Sequence, residues 1–187
     1  MDKELLGYHG TDQRSFDFIK RRGFRKQVSD NSFPNDLGLG AYFYTDRIKN
    51  EAKENAKKYV LRYKKSYVGK IVLEVPILVD EDKVLNFNEN DTAETLEEFI
   101  RENRDSINKE LEKYDSESSA FRRGNFDGIA IDLFIDYFGI AVDMIIKDTF
   151  TSFDDYQRSN FNNGREVCIK DTEVIDKKRI CIVEHIY

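Results

Sequence analysis

Ile48, Ala52, Ala56, Tyr59, Val60 and Tyr63 recur at steps of three and four residues, which gathers them on one face of a helix. That face has to lie against a second element. Val68 to Val79 follows soon after, rich in branched apolar residues, and reads as a strand bent at Pro76, which requires an edge, a bulge or a break.

Other elements are legible around this pair. Leu5 to Gly10 suits a first strand. Thr11 or Asp12 then caps a helix with Phe16, Phe18 and Ile19 inward and Gly23 at its C-terminal end. Phe24 to Asp36 is a polar loop, expected over a pocket. It runs into Gly38-Leu39-Gly40-Ala41-Tyr42-Phe43, read as a loop entering a short strand. Asp91 with Glu94 predicts a capping box, after which Leu96, Phe99, Ile100, Ile107, Leu111 and Tyr114 continue one amphipathic helix. Phe126 to Ile131 reads as a strand, Leu133 to Phe138 as a helical turn and Ala141 to Ile146 as a strand. Beyond polar segments at 116–125 and 152–164, Glu166 to Asp171 and Arg179 to Glu184 close the chain as two strands joined by a turn near Asp176.

A length of 187 residues suits one domain over 1–187 with its own core. No apolar run is long enough to cross a bilayer, and Met1-Asp2-Lys3-Glu4 lacks the basic-then-apolar order of an export signal. A cytoplasmic protein without membrane contact is expected. Cys168 and Cys181 lie in apolar runs and are expected as buried thiols in a reducing compartment. His9 and His185 are the only histidines and no Cys-x-x-Cys spacing occurs, so no metal is expected. A net charge of −6 argues against broad affinity for nucleic acid but leaves room for a local basic face.

Three short motifs stand in a telling order. Tyr8-His9-Gly10-Thr11 ends the first strand, Gly38-x-Gly40-x-Tyr42-Phe43 precedes the helix from Ile48, and Glu166-Val167-Cys168-Ile169-Lys170-Asp171 opens a late strand after a polar loop. Together they resemble the His-Tyr-Glu class of ADP-ribosyltransferases, related to the poly(ADP-ribose) polymerases and diphtheria toxin. The motifs cover about a fifth of the chain but span it from end to end. The stretch from Val79 to Ser152 aligns with no part of the family pattern.

The resemblance implies an α+β fold, a split mixed or antiparallel sheet around an NAD cleft with flanking helices, and NAD as substrate without a metal. His9, Tyr42 and Glu166 would be the catalytic set, and His9, Gly10, Thr11, Gly40 and Tyr42 would bind NAD. His9 would bond the adenosine ribose, Gly10 would hold the nicotinamide amide through its backbone, Tyr42 would stack on the nicotinamide ring, and Glu166 would bind the 2′-hydroxyl of the nicotinamide ribose. Asp171 and Glu173 are rival acids, but alternation puts Asp171 on the face opposite Glu166 and Glu173 lies toward the turn. The second aromatic that the family places beyond the nicotinamide has no assigned counterpart, with Tyr59 a turn further along. Arginine-directed relatives carry Glu-x-Glu, whereas Gly164 stands two positions before Glu166, so arginine is a poor acceptor.

The function implied is transfer of one ADP-ribose to a macromolecule, nucleic acid or protein, as in a bacterial toxin or defence effector with an antitoxin protein as a further partner. In the 152–164 loop, Tyr156, Arg158 and Phe161 are the candidate acceptor-binding residues. An NAD glycohydrolase, a transferase acting on small molecules and a catalytically silent binding domain are the alternatives.

Overall fold

The computed structural model describes residues 2–26, 34–114, 126–154, 159 and 161–187. The connector 116–125 and the candidate residues Tyr156 and Arg158 lie outside the described residues. Among the described residues seven strands form one mixed sheet in the order β4-β5-β6-β2-β1-β3-β7. In chain order they are β1 (Asp2–Asp12), β2 (Ala41–Thr45), β3 (Lys70–Asp80), β4 (Val84–Asn86), β5 (Met144–Thr149), β6 (Gly164–Ile169) and β7 (Cys181–Ile186). The α-helices among the described residues are α1 (Gln13–Arg22), α2 (Glu51–Tyr63), α3 (Asn90–Glu102), α4 (Arg104–Leu111) and α5 (Phe126–Phe138). Only β4 and β5 run parallel; every other neighbouring pair is antiparallel.

The sheet is nearly divided at its centre. β1 pairs with β3 along its whole length from Asp2 to Asp12, but with β2 only at Tyr8 opposite Tyr44. Side-chain alternation fixes what covers each face. Ile71, Leu73, Val75, Ile77 and Val79 of β3 join Phe43, Val167, Ile169 and Ile19 in one core on the α1 side. Val72 and Tyr44 face the other way, against Ala52 and Ala56 of α2, while Cys168 meets the core under α3, α4 and α5.

The helical face expected from Ile48 forms with its start moved. α2 begins at Glu51, and Ile48 lies before it and is exposed, whereas Ala52, Ala56 and Val60 are fully buried. Asp12 caps α1 by accepting from the Ser15 N–H at 2.8 Å, and Gly23 closes it at φ 78°. β3 runs straight through Pro76, whose carbonyl accepts from the Asp176 N–H at 3.0 Å on the side away from β1. The N–H that proline lacks would point to that same side, where β7 has already ended, so β3 loses no ladder bond there. The expected bend at Pro76 does not break the β1–β3 register, and the irregularity on the other side of β3 belongs to β7, where Val183 is the extra residue opposite the Val72–Leu73 step.

Five expectations are corrected. The helix read as continuous through Tyr114 is two, because Asn103 ends α3 and starts α4, its Nδ2 donating to the Phe99 carbonyl at 3.0 Å. The α3 N-cap is Glu89 with no side-chain bond, so the Asp91 and Glu94 capping box does not form. Phe126 to Ile131 is not a strand but the first half of α5: a helix buried on nearly all sides carries no alternation of polarity to reveal its period. The last two strands are not neighbours. β6 lies between β2 and β5 while β7 edges the sheet beside β3, and Cys181 on that edge is exposed rather than buried. Both cysteines are free.

Gly128 lets α5 touch the loop before β2, since a Cβ there would sit 1.8 Å from the Asn35 carbonyl oxygen and 2.8 Å from the Gly38 nitrogen. Gly128→Ala is therefore expected to destabilise the protein by about 1–3 kcal/mol through overpacking against backbone. Urea unfolding with a parental midpoint would show that α5 and this loop are not in contact.

Candidate active site

The site begins where β1 and β2 part. His9 Nδ1 lies 2.9 Å from the Tyr42 carbonyl oxygen. Only a protonated Nδ1 can bond a carbonyl, so Nε2 of the neutral ring is left as an acceptor. Burial depresses the His9 pKa below its ordinary value, the Tyr42 carbonyl opposing this only in part, so the ring is neutral at pH 7. Phe24 meets the His9 ring edge-on at 5.2 Å, and Phe43 lies 5.7 Å away.

Tyr42 is held by the loop that precedes it. Its hydroxyl donates to the Gly38 carbonyl at 2.7 Å and accepts from the Leu37 N–H at 2.9 Å, fixing the ring at both ends of a tight turn where Gly38 has φ 83°. Behind the turn lies a charged clamp with no local signal in the sequence. Lys170 Nζ donates to the Leu37 carbonyl at 3.0 Å, the Leu39 carbonyl at 2.8 Å and Asp132 Oδ1 at 2.6 Å, while Asp132 Oδ2 accepts from the Leu39 N–H at 2.7 Å. Lys170 is buried. Burial raises the Asp132 pKa, with the Lys170 charge opposing it.

Glu166 faces the same side of the sheet as Tyr42 and Tyr44, with Tyr44 directly opposite it on β2. It is half-buried, and its Oε1 accepts from the Thr151 hydroxyl at 3.0 Å. Thr151 has then given its only proton, so the Tyr44 hydroxyl, 3.2 Å from the same oxygen, donates to it, and the two hydroxyls form a chain ending on the carboxylate. Asn163 fixes Thr151 at both backbone groups, accepting from its N–H and donating to its carbonyl at 2.8 Å each. Asn163 is fixed in turn by Asn55 Nδ2, which donates to its carbonyl at 2.8 Å. Burial raises the Glu166 pKa from its ordinary value, the Thr151 bond opposing this in part and the Asp36 charge adding to it.

All three motifs line one cavity of about 710 Å³: His9, Gly10 and Thr11, then Gly40 and Tyr42, then Glu166. This joins residues from opposite sheet faces, since His9 packs with Phe43 on the α1 side while Glu166 and Tyr42 point the other way; the gap between β1 and β2 lets the cavity pass through. Two glycines also serve packing. A Cβ on Gly10 would lie 2.2 Å from the Ala56 carbonyl oxygen of α2, and one on Gly40 would lie 2.3 Å from Cys168 Sγ. Thr11 is buried. Phe161 is exposed and lies outside the cavity lining, as do Asp171 and Glu173. Reading the sequence missed Thr151, Asn163, Lys170 and Asp132. It also left unplaced Tyr59 and Tyr63, which stand at helical spacing and share this cavity. Among the described residues no group of His, Cys, Asp and Glu could hold a metal ion. No family model matches the chain, and it matches no curated protein and no solved structure.

Two outcomes follow from these charges. A carboxyl whose folded pKa is raised keeps a proton that the unfolded chain has already lost, so its contribution to stability falls as pH climbs through the folded value. Glu166→Gln should remove that slope: thermal scans from pH 4 to 8 are expected to show the variant gaining on the parent as pH rises, and parallel curves would contradict the burial of Glu166. Lys170→Met breaks a buried ion pair and leaves Asp132 uncompensated, an expected loss of about 3–5 kcal/mol. Lys170→Met combined with Asp132→Leu should recover much of that loss in urea unfolding; simple additivity of the two changes would show that they do not interact.

Proposed function

We propose that this protein is an NAD-dependent ADP-ribosyltransferase that moves one ADP-ribose unit from NAD to a macromolecular acceptor. The observation that carries this reading is Glu166: a half-buried carboxylate held by a hydroxyl chain, in one cavity with a neutral His9 and the fixed Tyr42 ring. NAD+ and an acceptor X–H would give X–ADP-ribose, nicotinamide and a proton. The nicotinamide–ribose bond breaks with its electron pair leaving on nicotinamide, and positive charge grows on the ribose as it does in glycoside hydrolysis.

A fixed carboxylate beside that carbon favours the transition state over the ground state, and favours it more where water is scarce. The Tyr44–Thr151 chain aims the Glu166 oxygens before substrate arrives, so little reorganisation is left for the reacting complex. His9 suits a ribose hydroxyl, because its Nε2 accepts while its Nδ1 is committed to Tyr42. Tyr42 offers a flat face whose hydroxyl is already satisfied by the Gly38 turn, and such a ring costs little entropy to stack on nicotinamide.

Glu166→Gln is expected to slow nicotinamide release by about a hundredfold to a thousandfold, the usual worth of one preorganised group at a developing charge. Chromatographic release at the parental rate would remove Glu166 from the chemistry. In calorimetry Tyr42→Ala should weaken NAD binding by about 0.5–1.5 kcal/mol, and Tyr42→Phe, which keeps the ring and loses the loop latch, should lie between it and the parent. Parental affinity in both variants would move the nicotinamide away from Tyr42.

A further inference from the structure

We infer that the acceptor is a single-stranded nucleic acid seated along the outer flank of α2 beside Glu166, an inference that rests on the NAD reading above. From Lys53 to Lys70 the chain carries seven cations and the single acid Glu54, within a protein whose acids outnumber its bases by six. Lys53 and Lys57 both bridge to Glu184, at 3.1 and 2.5 Å, and Lys70 Nζ donates to the carbonyls of Lys65 and Tyr67. At about 100° per residue, Lys58 and Arg62 fall on the other flank of α2, next to Tyr59 and Tyr63.

The charges of that flank border rings at the edge of the inner face. The Tyr59 and Tyr63 rings lie 5.0 Å apart and Tyr44 is 6.3 Å from Tyr59. Lys58 Nζ sits 5.6 Å from the Phe153 centroid, and Lys64 Nζ 5.8 Å from that of Tyr67. The flank also reaches the chemistry. Tyr63 donates to the Ser152 carbonyl at 2.5 Å, next to the Thr151 that holds Glu166, and Tyr59, Tyr63, Lys64 and Tyr67 line the same cavity as Glu166. A single strand matches this pattern because each base has a free face to stack and each phosphate a charge to pair, whereas a duplex hides its base faces. An acidic peptide would use the lysines and leave the rings idle. In the transfer, a nitrogen or oxygen of the nucleotide bonds to the ribose carbon as nicotinamide leaves with the electron pair, and the acceptor's proton passes through Glu166 to water.

The test uses the whole chain with fluorescein-labelled single strands of about 12 nucleotides, one RNA and one DNA of the same sequence. Anisotropy is read at low and high salt without NAD, and label transfer is read with NAD labelled in its adenylate phosphate. The expected result is salt-sensitive binding and labelling of at least one strand, with the two arms telling RNA from DNA. Lys58→Glu combined with Lys65→Glu should lower both by at least about tenfold while nicotinamide release in the absence of acceptor stays parental, and Tyr67→Ala should lower strand binding without changing charge. Absence of binding to both strands, equal displacement by poly-glutamate, or label appearing only on a protein such as casein would each overturn the inference. If the parent releases no nicotinamide, the NAD reading falls by itself. The surface is then judged on anisotropy: binding lost in the variants supports it, and no binding overturns it.

Discussion

The hydrogen bond from His9 Nδ1 to the Tyr42 carbonyl sits where the sheet would otherwise close. β1 and β2 share only the Tyr8 and Tyr44 pair, and beyond it a side chain takes the place of a ladder bond on β2. A backbone carbonyl left unpaired in a buried setting is costly, so the imidazole meets a need that the opening itself creates. Because the ring is buried and neutral, it does so without placing a charge in the interior. The cavity, the mixing of residues from two sheet faces and the meeting of three distant motifs all follow from this opening.

Around the opening the structure keeps its functional groups in place with polar bonds instead of apolar packing. Tyr42 is tied to the Gly38 turn, the turn to Lys170 and Asp132, Glu166 to Thr151, and Thr151 to Asn163. Apolar contacts tolerate sliding, while hydrogen bonds fix direction, so the Glu166 carboxylate is oriented as well as held. The arrangement holds ionisable groups away from water. Burial raises Glu166 and Asp132 alike, and the energy this withholds from folding comes from cores such as the fully buried β3 stripe against α1.

The α2 helix joins stability to the site. Its inner residues Ala52, Ala56 and Val60 are small enough for the helix to lie close on β1, where Gly10 has no Cβ to prevent it. The same close approach brings Tyr59 and Tyr63 to the cavity and lets Asn55 reach Asn163. One helix face therefore supplies core and cavity wall together, and a substitution at Ala56 would disturb both.

The sequence by itself determined the elements whose periodicity differs between faces: α1 with its Asp12 cap and Gly23 end, the inner face of α2, and the β3 strand. It also placed His9, Gly40, Tyr42 and Glu166 near strand ends, because glycine, aromatic and acid at such points are local signals. It misread α5, whose burial on nearly all sides erases any period, and it ran α3 into α4 because one asparagine can end a helix without breaking the apolar pattern. Only the tertiary structure decided that β6 and β7 lie apart, and that His9 and Glu166 share a cavity from opposite sheet faces. The Lys170 and Asp132 clamp and the Asn163 latch belong to the same class. Each depends on which strands become neighbours, and that choice is made by burying surfaces far apart in the chain, which no local pattern of residues records.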